Sequence, residues 1–117
     1  MRMLTSKAPR AIESSRLLMK RLGIDDGDMV VSDGLWTGDG PQAHDDVTAL
    51  LQVERASASA GVLLVMTHLE YCESLPSLYA YRLGLPSVPP RIPIHHGQAR
   101  VLDCQTGECA VVGRIGL

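Results

Sequence analysis

Gly61-Val62-Leu63-Leu64-Val65-Met66-Thr67-His68 is the stretch on which the fold turns. Its apolar run is the length of a strand, is rich in branched residues, and stops at the polar pair Thr67-His68. With no polar residue alternating along it, the run predicts a strand covered on both faces, as in the centre of an α/β sheet. Downstream, a helix is expected over Leu69–Leu83, stopped by Gly84 and Pro86. Upstream, a helix is expected over Ala43–Ala58, with Val47, Leu50, Leu51 and Glu54 along its inward side. Asp45 and Asp46 fall in its first turn, where the helix dipole favours negative charge, so His44-Asp45-Asp46 is read as a helix start rather than a metal cluster.

Further upstream, Met29–Ser32 reads as a short strand, preceded by the polar turn Asp25–Asp28 and followed by the Gly-rich loop Asp33–Pro41. Met1–Thr5 reads as another strand, leading into a helix over Lys7–Leu22 with Ser6 as its N-cap and Gly23 as its stop. In that helix Ala8, Ala11, Ile12, Ser15, Leu18, Met19 and Leu22 recur at steps of three and four, one apolar face. Beyond the Pro-rich connector Pro86–Pro93, Gln98–Cys104 and Cys109–Val112 read as two strands joined by a turn. The order strand, helix, strand, helix, strand, helix, hairpin predicts a single α/β domain, a three-layer α/β/α sandwich with a mostly parallel sheet.

Composition narrows the function classes. The chain has 117 residues, enough for a real core without disulfides or metal, and that core must be aliphatic because Phe is absent. Few aromatics disfavour a single-strand nucleic-acid platform. Eleven basic against 13 acidic residues give a formal charge of -2, which supplies no attraction to duplex or anionic membrane. Neither nucleic acid nor membrane is expected as partner, no apolar stretch serves as a signal peptide, and the expected compartment is the cytoplasm. Cys72, Cys104 and Cys109 lack zinc-site spacing; Cys72 is read as a packing residue, and Cys104 and Cys109 as reduced thiols on a hairpin, with a cross-strand disulfide between them as the alternative; no metal or cofactor is expected.

In an open α/β sheet, ligands collect beyond the carboxyl ends of the parallel strands. Two polar segments arrive there, Thr5-Ser6-Lys7-Ala8-Pro9-Arg10 and Thr67-His68-Leu69-Glu70. Lys7 and Arg10 sit where the positive end of a helix dipole disfavours cations, so they call either for a bound anion or, for Arg10, for a carboxylate such as Glu13. His68 follows a rigid strand and carries a ring that exchanges protons near neutrality. His95 and His96, before a strand, read as loop residues.

The segment Thr5-Ser6-Lys7-Ala8-Pro9-Arg10-Ala11-Ile12-Glu13-Ser14 resembles the Ser-to-Arg-Ala helix start of histidine phosphatases. Val65-Met66-Thr67-His68 is similar to the strand that ends in their second histidine, and Gly97–Leu102 is similar to a late strand of their small, phosphohistidine-phosphatase-like members. The resemblance implies phosphoryl transfer to a nucleophilic histidine, with the phosphate held by two arginines and a second histidine. It makes Arg10 a phosphate clamp, assisted by Lys7 and the Ser6 helix start, and His68 the second histidine. The implied substrate is a phosphorylated small molecule or a phosphohistidine protein.

Two departures accompany it. The Arg-His-Gly motif that carries the nucleophile in that family is missing, so the domain is expected to be N-terminally incomplete and its hydrolysis impaired. The acid of many relatives has only Asp39 as a substitute, with Thr37 in its approximate place. The missing strand would lie between the strand ending at His68 and the hairpin, leaving an exposed sheet edge. That edge is the alternative function: a noncatalytic binding or assembly module, for example a homodimer formed through it.

Overall fold

Strand β1, Arg2–Ser6, is the centre of the sheet, and its burial explains the rest of the packing. Met3 and Leu4 are 0% and 1% exposed, and removing such side chains from water contributes about 1.5–3 kcal/mol each. Thr5 and Ser6 are as deeply buried, which a strand tolerates only when the hydroxyls are bonded; Thr5 Oγ1 donates to Ser6 O at 3.1 Å. This is a computed structural model, and it describes residues 1–35, 45–58 and 61–113. They gather into two compact units, Met1–His68 and Leu69–Leu117.

The first unit is a parallel three-stranded sheet in the order β2-β1-β3, where β2 is Met29–Ser32 and β3 is Leu63–Met66. Helix α1, Pro9–Leu22, packs on β1 and β3 through Ala11, Ser15 and Met19, the middle of the expected face. It ends at Gly23 in the left-handed region (φ 69), with Lys20 and Arg21 in the last turn where the dipole favours them. Its start differs from expectation: Ser6 stays in β1, and Ala8 is the N-cap. Pro9, at the first helical position, fixes the helical φ there and keeps Ala8 extended (ψ 134).

Helix α2 spans Asp46–Ser57, capped by Asp45, whose carboxylate accepts from Val47 N (3.1 Å) and Thr48 N (3.2 Å). The acids therefore act as a helix start. The inward side is Ala49, Val53 and Ala56, not Val47 and Leu51, which are 67% and 43% exposed. Two apolar stripes competed, and the helix fully buries the one that carries no charge, leaving Leu50 and Glu54 half-buried and Val47 and Leu51 exposed.

A second correction concerns β3. Among the described residues it lies at an edge, paired only with β1, and all four of its residues are half-buried rather than covered on both faces. An apolar run fixes how much surface seeks cover but not strand order, and here the central place belongs to β1.

In the second unit, helix α3 spans Leu69–Leu83 as expected and buries Tyr71, Ser74, Leu75 and Ala80, with Pro76 inside it. An antiparallel hairpin joins β4, Gln98–Leu102, to β5, Cys109–Gly113. β4 stops two residues before Cys104 because the Asp103 carboxylate folds the chain into a turn, accepting from Gln105 N at 2.8 Å. Arg100 holds the unit together: its guanidinium donates to the carbonyls of Glu73 and Pro90, both at 3.0 Å. No helix among the described residues is long and apolar enough to cross a membrane.

Two stability measurements check this packing. Gly107 has φ +86, and a Cβ there would run into the Ser87 carbonyl, so Gly107→Ala is expected to lower the urea-unfolding free energy by more than about 1 kcal/mol. Ser15 Oγ is buried on α1 with no hydrogen-bond partner among the described residues, so Ser15→Ala is expected to raise that free energy by about 1 kcal/mol. A marked loss for Ser15→Ala would show that the hydroxyl is satisfied.

Candidate functional site

The register sets Ser6 beside Ser32 on one side and Thr5 beside Met66 on the other, so all three parallel strands leave the sheet at the same edge. Past that edge lie Lys7–Arg10, Asp33–Leu35 and Thr67–His68. Short bonds stitch the exits together. Thr67 Oγ1 donates to Leu35 O at 2.9 Å, and Ser32 Oγ accepts from Gly34 N at 3.2 Å. Lys7 Nζ lies 3.6 Å from Asp33 Oδ1, an exposed pair worth about 0–1 kcal/mol and so easily exchanged for another anion.

The closest link is between Ser6 and His68. Ser6 Oγ lies 3.1 Å from His68 Nε2, across 62 residues of sequence, and accepts from Ala8 N at 3.2 Å. His68 is half-buried and Ser6 wholly buried, so the histidine stands at the surface of the edge with the serine behind it. The Ser6 hydroxyl is thus turned inward, with His68 as its polar side-chain contact among the described residues.

Arg10 is the second residue of α1 and is exposed. The alternative partner named from sequence, Glu13, does not pair with it, nor does any other carboxylate among the described residues. No side chain caps the first turn of α1 and no acid lies in it, so dipole and guanidinium present positive charge together. That arrangement suits an oxyanion, which can take backbone N–H groups and a planar guanidinium at once.

The remaining candidates lie elsewhere. Asp39 and Thr37 fall outside the described residues. His95 and His96 are exposed in the turn that opens β4, where Gln98 bonds back to the His95 backbone at 3.0 Å. A groove in the second unit, lined by Val88, Pro89, Pro90, Val101 and Ala110, contains neither Arg10 nor His68. An activated thiol nucleophile requires a lowered pKa, and at two of the cysteines the shift runs the other way. Burial pushes the Cys72 thiol up to about 11, aided by Glu70 and Glu73 and opposed by Arg100, and burial with Asp103 raises that of Cys104.

Of the residues singled out from sequence, Ser6, Lys7, Arg10 and His68 all lie at or just past this sheet edge, whereas the bonds among the exits were not foreseen. The Ser6–His68 contact has no local signal, because it depends on β1 and β3 being neighbours. Compared with family models, curated proteins and solved structures, the chain matches none.

The thiol assignment is open to test by alkylation. Cys72 in the folded chain should react with iodoacetamide at pH 8 far more slowly than in urea, its rate climbing only as pH nears about 11. The unfolded thiol ionises first, near its ordinary value of 9.0, so this group withdraws stability as pH rises from there toward about 11. Equal rates in the folded and unfolded chain at pH 8 would contradict the burial.

Proposed function

We propose that the carboxyl edge of the β2-β1-β3 sheet binds a phosphate group in the manner of a histidine phosphatase. The observation that carries this reading is the Ser6–His68 contact, which joins the segment leading into the Arg10 helix to the histidine ending the β3 segment. Arg10 is the phosphate clamp, supported by its exposure and its lack of a carboxylate partner among the described residues. His68 is the second histidine, stabilising charge on the phosphoryl oxygens. Lys7 adds positive charge from the same exit, and Ser6 serves the site through His68. Asp39 is the acid that the resemblance offers.

The ligand class is a phosphorylated small molecule or a phosphohistidine protein in the cytoplasm, handled without a cofactor. The finer architecture of this reading is a three-layer α/β/α sandwich. Charge-stabilising groups of this type carry most of phosphoryl-transfer catalysis, yet the family's covalent chemistry also needs its nucleophile. The sequence contains no Arg-His-Gly tripeptide, so this chain is read as binding phosphate while hydrolysing it orders of magnitude more slowly than a complete site.

A second reading, an assembly module, is favoured by the one-sided pairing of β3, whose outer edge meets no strand among the described residues. It implies a homodimer whose population rises with concentration in sedimentation, with no dependence on phosphate.

The deciding experiment is calorimetric titration with orthophosphate and orthovanadate. Arg10→Ala is expected to weaken binding at least about tenfold while leaving the circular dichroism spectrum unchanged. Unchanged affinity would remove Arg10 from the site, and no binding by the wild-type chain would end the phosphate reading.

A further inference from the structure

Ser6 has one hydroxyl proton and two lone pairs, and its surroundings dictate how each is used. One lone pair accepts from Ala8 N at 3.2 Å. The side chain is 0% exposed, so water does not reach it. Among the described residues the only other polar atom bonded to Oγ is His68 Nε2, at 3.1 Å. If Nε2 carried a proton, it would donate into the second lone pair and leave the serine hydroxyl proton buried without an acceptor. If Nε2 is unprotonated, it accepts that proton and every group on Ser6 is satisfied.

We infer that Ser6 is a positioning residue that holds neutral His68 as the tautomer protonated on Nδ1, with Nε2 facing Ser6 as an acceptor. The assignment deepens the phosphate-binding reading of this edge and rests on it for its functional meaning. A histidine free in water prefers its proton on Nε2, so the inferred form is the one the chain must impose. In that form Ser6 fixes the ring plane from behind, since it is wholly buried and the ring is half-buried at the edge.

The test is long-range proton–nitrogen correlation NMR on the full chain labelled with nitrogen-15 histidine, at a pH where the ring is neutral. The sequence has four histidines, and His68→Gln identifies the His68 signals by their loss. In the wild type, Nδ1 is expected at a protonated-nitrogen shift and Nε2 at an unprotonated one; the reverse pattern overturns the inference. Ser6→Ala is expected to move His68 toward the Nε2-protonated form, and Ser6→Thr, which keeps the hydroxyl, to restore the wild-type pattern. A Ser6→Ala chain that keeps the wild-type pattern also overturns the inference. Should Ser6→Ala fail to fold, the wild-type spectrum decides alone.

Orthophosphate titration separates this assignment from the reading beneath it. Ser6→Ala is expected to weaken phosphate binding roughly three- to tenfold, with recovery in Ser6→Thr. Absence of phosphate binding in a wild type that shows the Nδ1 form would sink the phosphate reading while the tautomer stands. Phosphate binding by a wild type with Nε2 protonated would do the opposite.

Discussion

The parallel pairing of β1 with β3 is the constraint from which the candidate site follows. It sets Thr5 opposite Met66, so the segments that carry Ser6 and His68 leave the sheet side by side. Side chains alternate faces along a strand, so a slip of one residue would turn Ser6 away from the histidine and expose hydroxyls that are now buried. The register is held by apolar burial at Met3 and Leu4 and by the bonded hydroxyls of Thr5 and Ser6, which tolerate no other environment cheaply. The same pairing leaves α1 starting directly above the edge, so the conformation of Ala8-Pro9 decides where Arg10 stands.

The electrostatics of this edge are built from few charges. An exposed Lys7–Asp33 pair, the half-buried His68 and the first turn of α1, which has no side-chain cap and no acid, all lie past the strand ends. Behind them lies the wholly buried Ser6, whose Oγ is 3.1 Å from His68 Nε2.

Most elements were legible in the sequence because each rests on local chemistry. The three- and four-residue spacing of α1, the Gly84 stop of α3 and the Asp45 cap of α2 are signals contained within a few residues. Strand order is not local. The Leu63–Met66 run announces burial, yet the edge position of β3 depends on which neighbour β1 recruits. The inward face of α2 was ambiguous for a related reason, since Ala49-Val53-Ala56 and the stripe through Val47 share the helical period and only packing against the sheet chooses between them. At the sheet edge, Arg10 and His68 stood out in the sequence by their local positions at a helix start and a strand end, whereas the bond between Ser6 and His68 had no local signal. Ser6 looked like a cap because capping serines and strand-end serines are the same residue until Pro9 fixes the helix start.

Arg100 adds a consequence for the second unit. Its guanidinium is gripped by two backbone carbonyls, from Glu73 in α3 and Pro90 in the connector, while its Nε is buried without a partner. Counterions compete poorly for a cation clasped by peptide dipoles in a fixed fork, so this staple should persist in brine that dissolves ordinary surface ion pairs. A lysine could reach either carbonyl but has no rigid span to bridge both, which makes the position intolerant of an exchange that preserves charge alone.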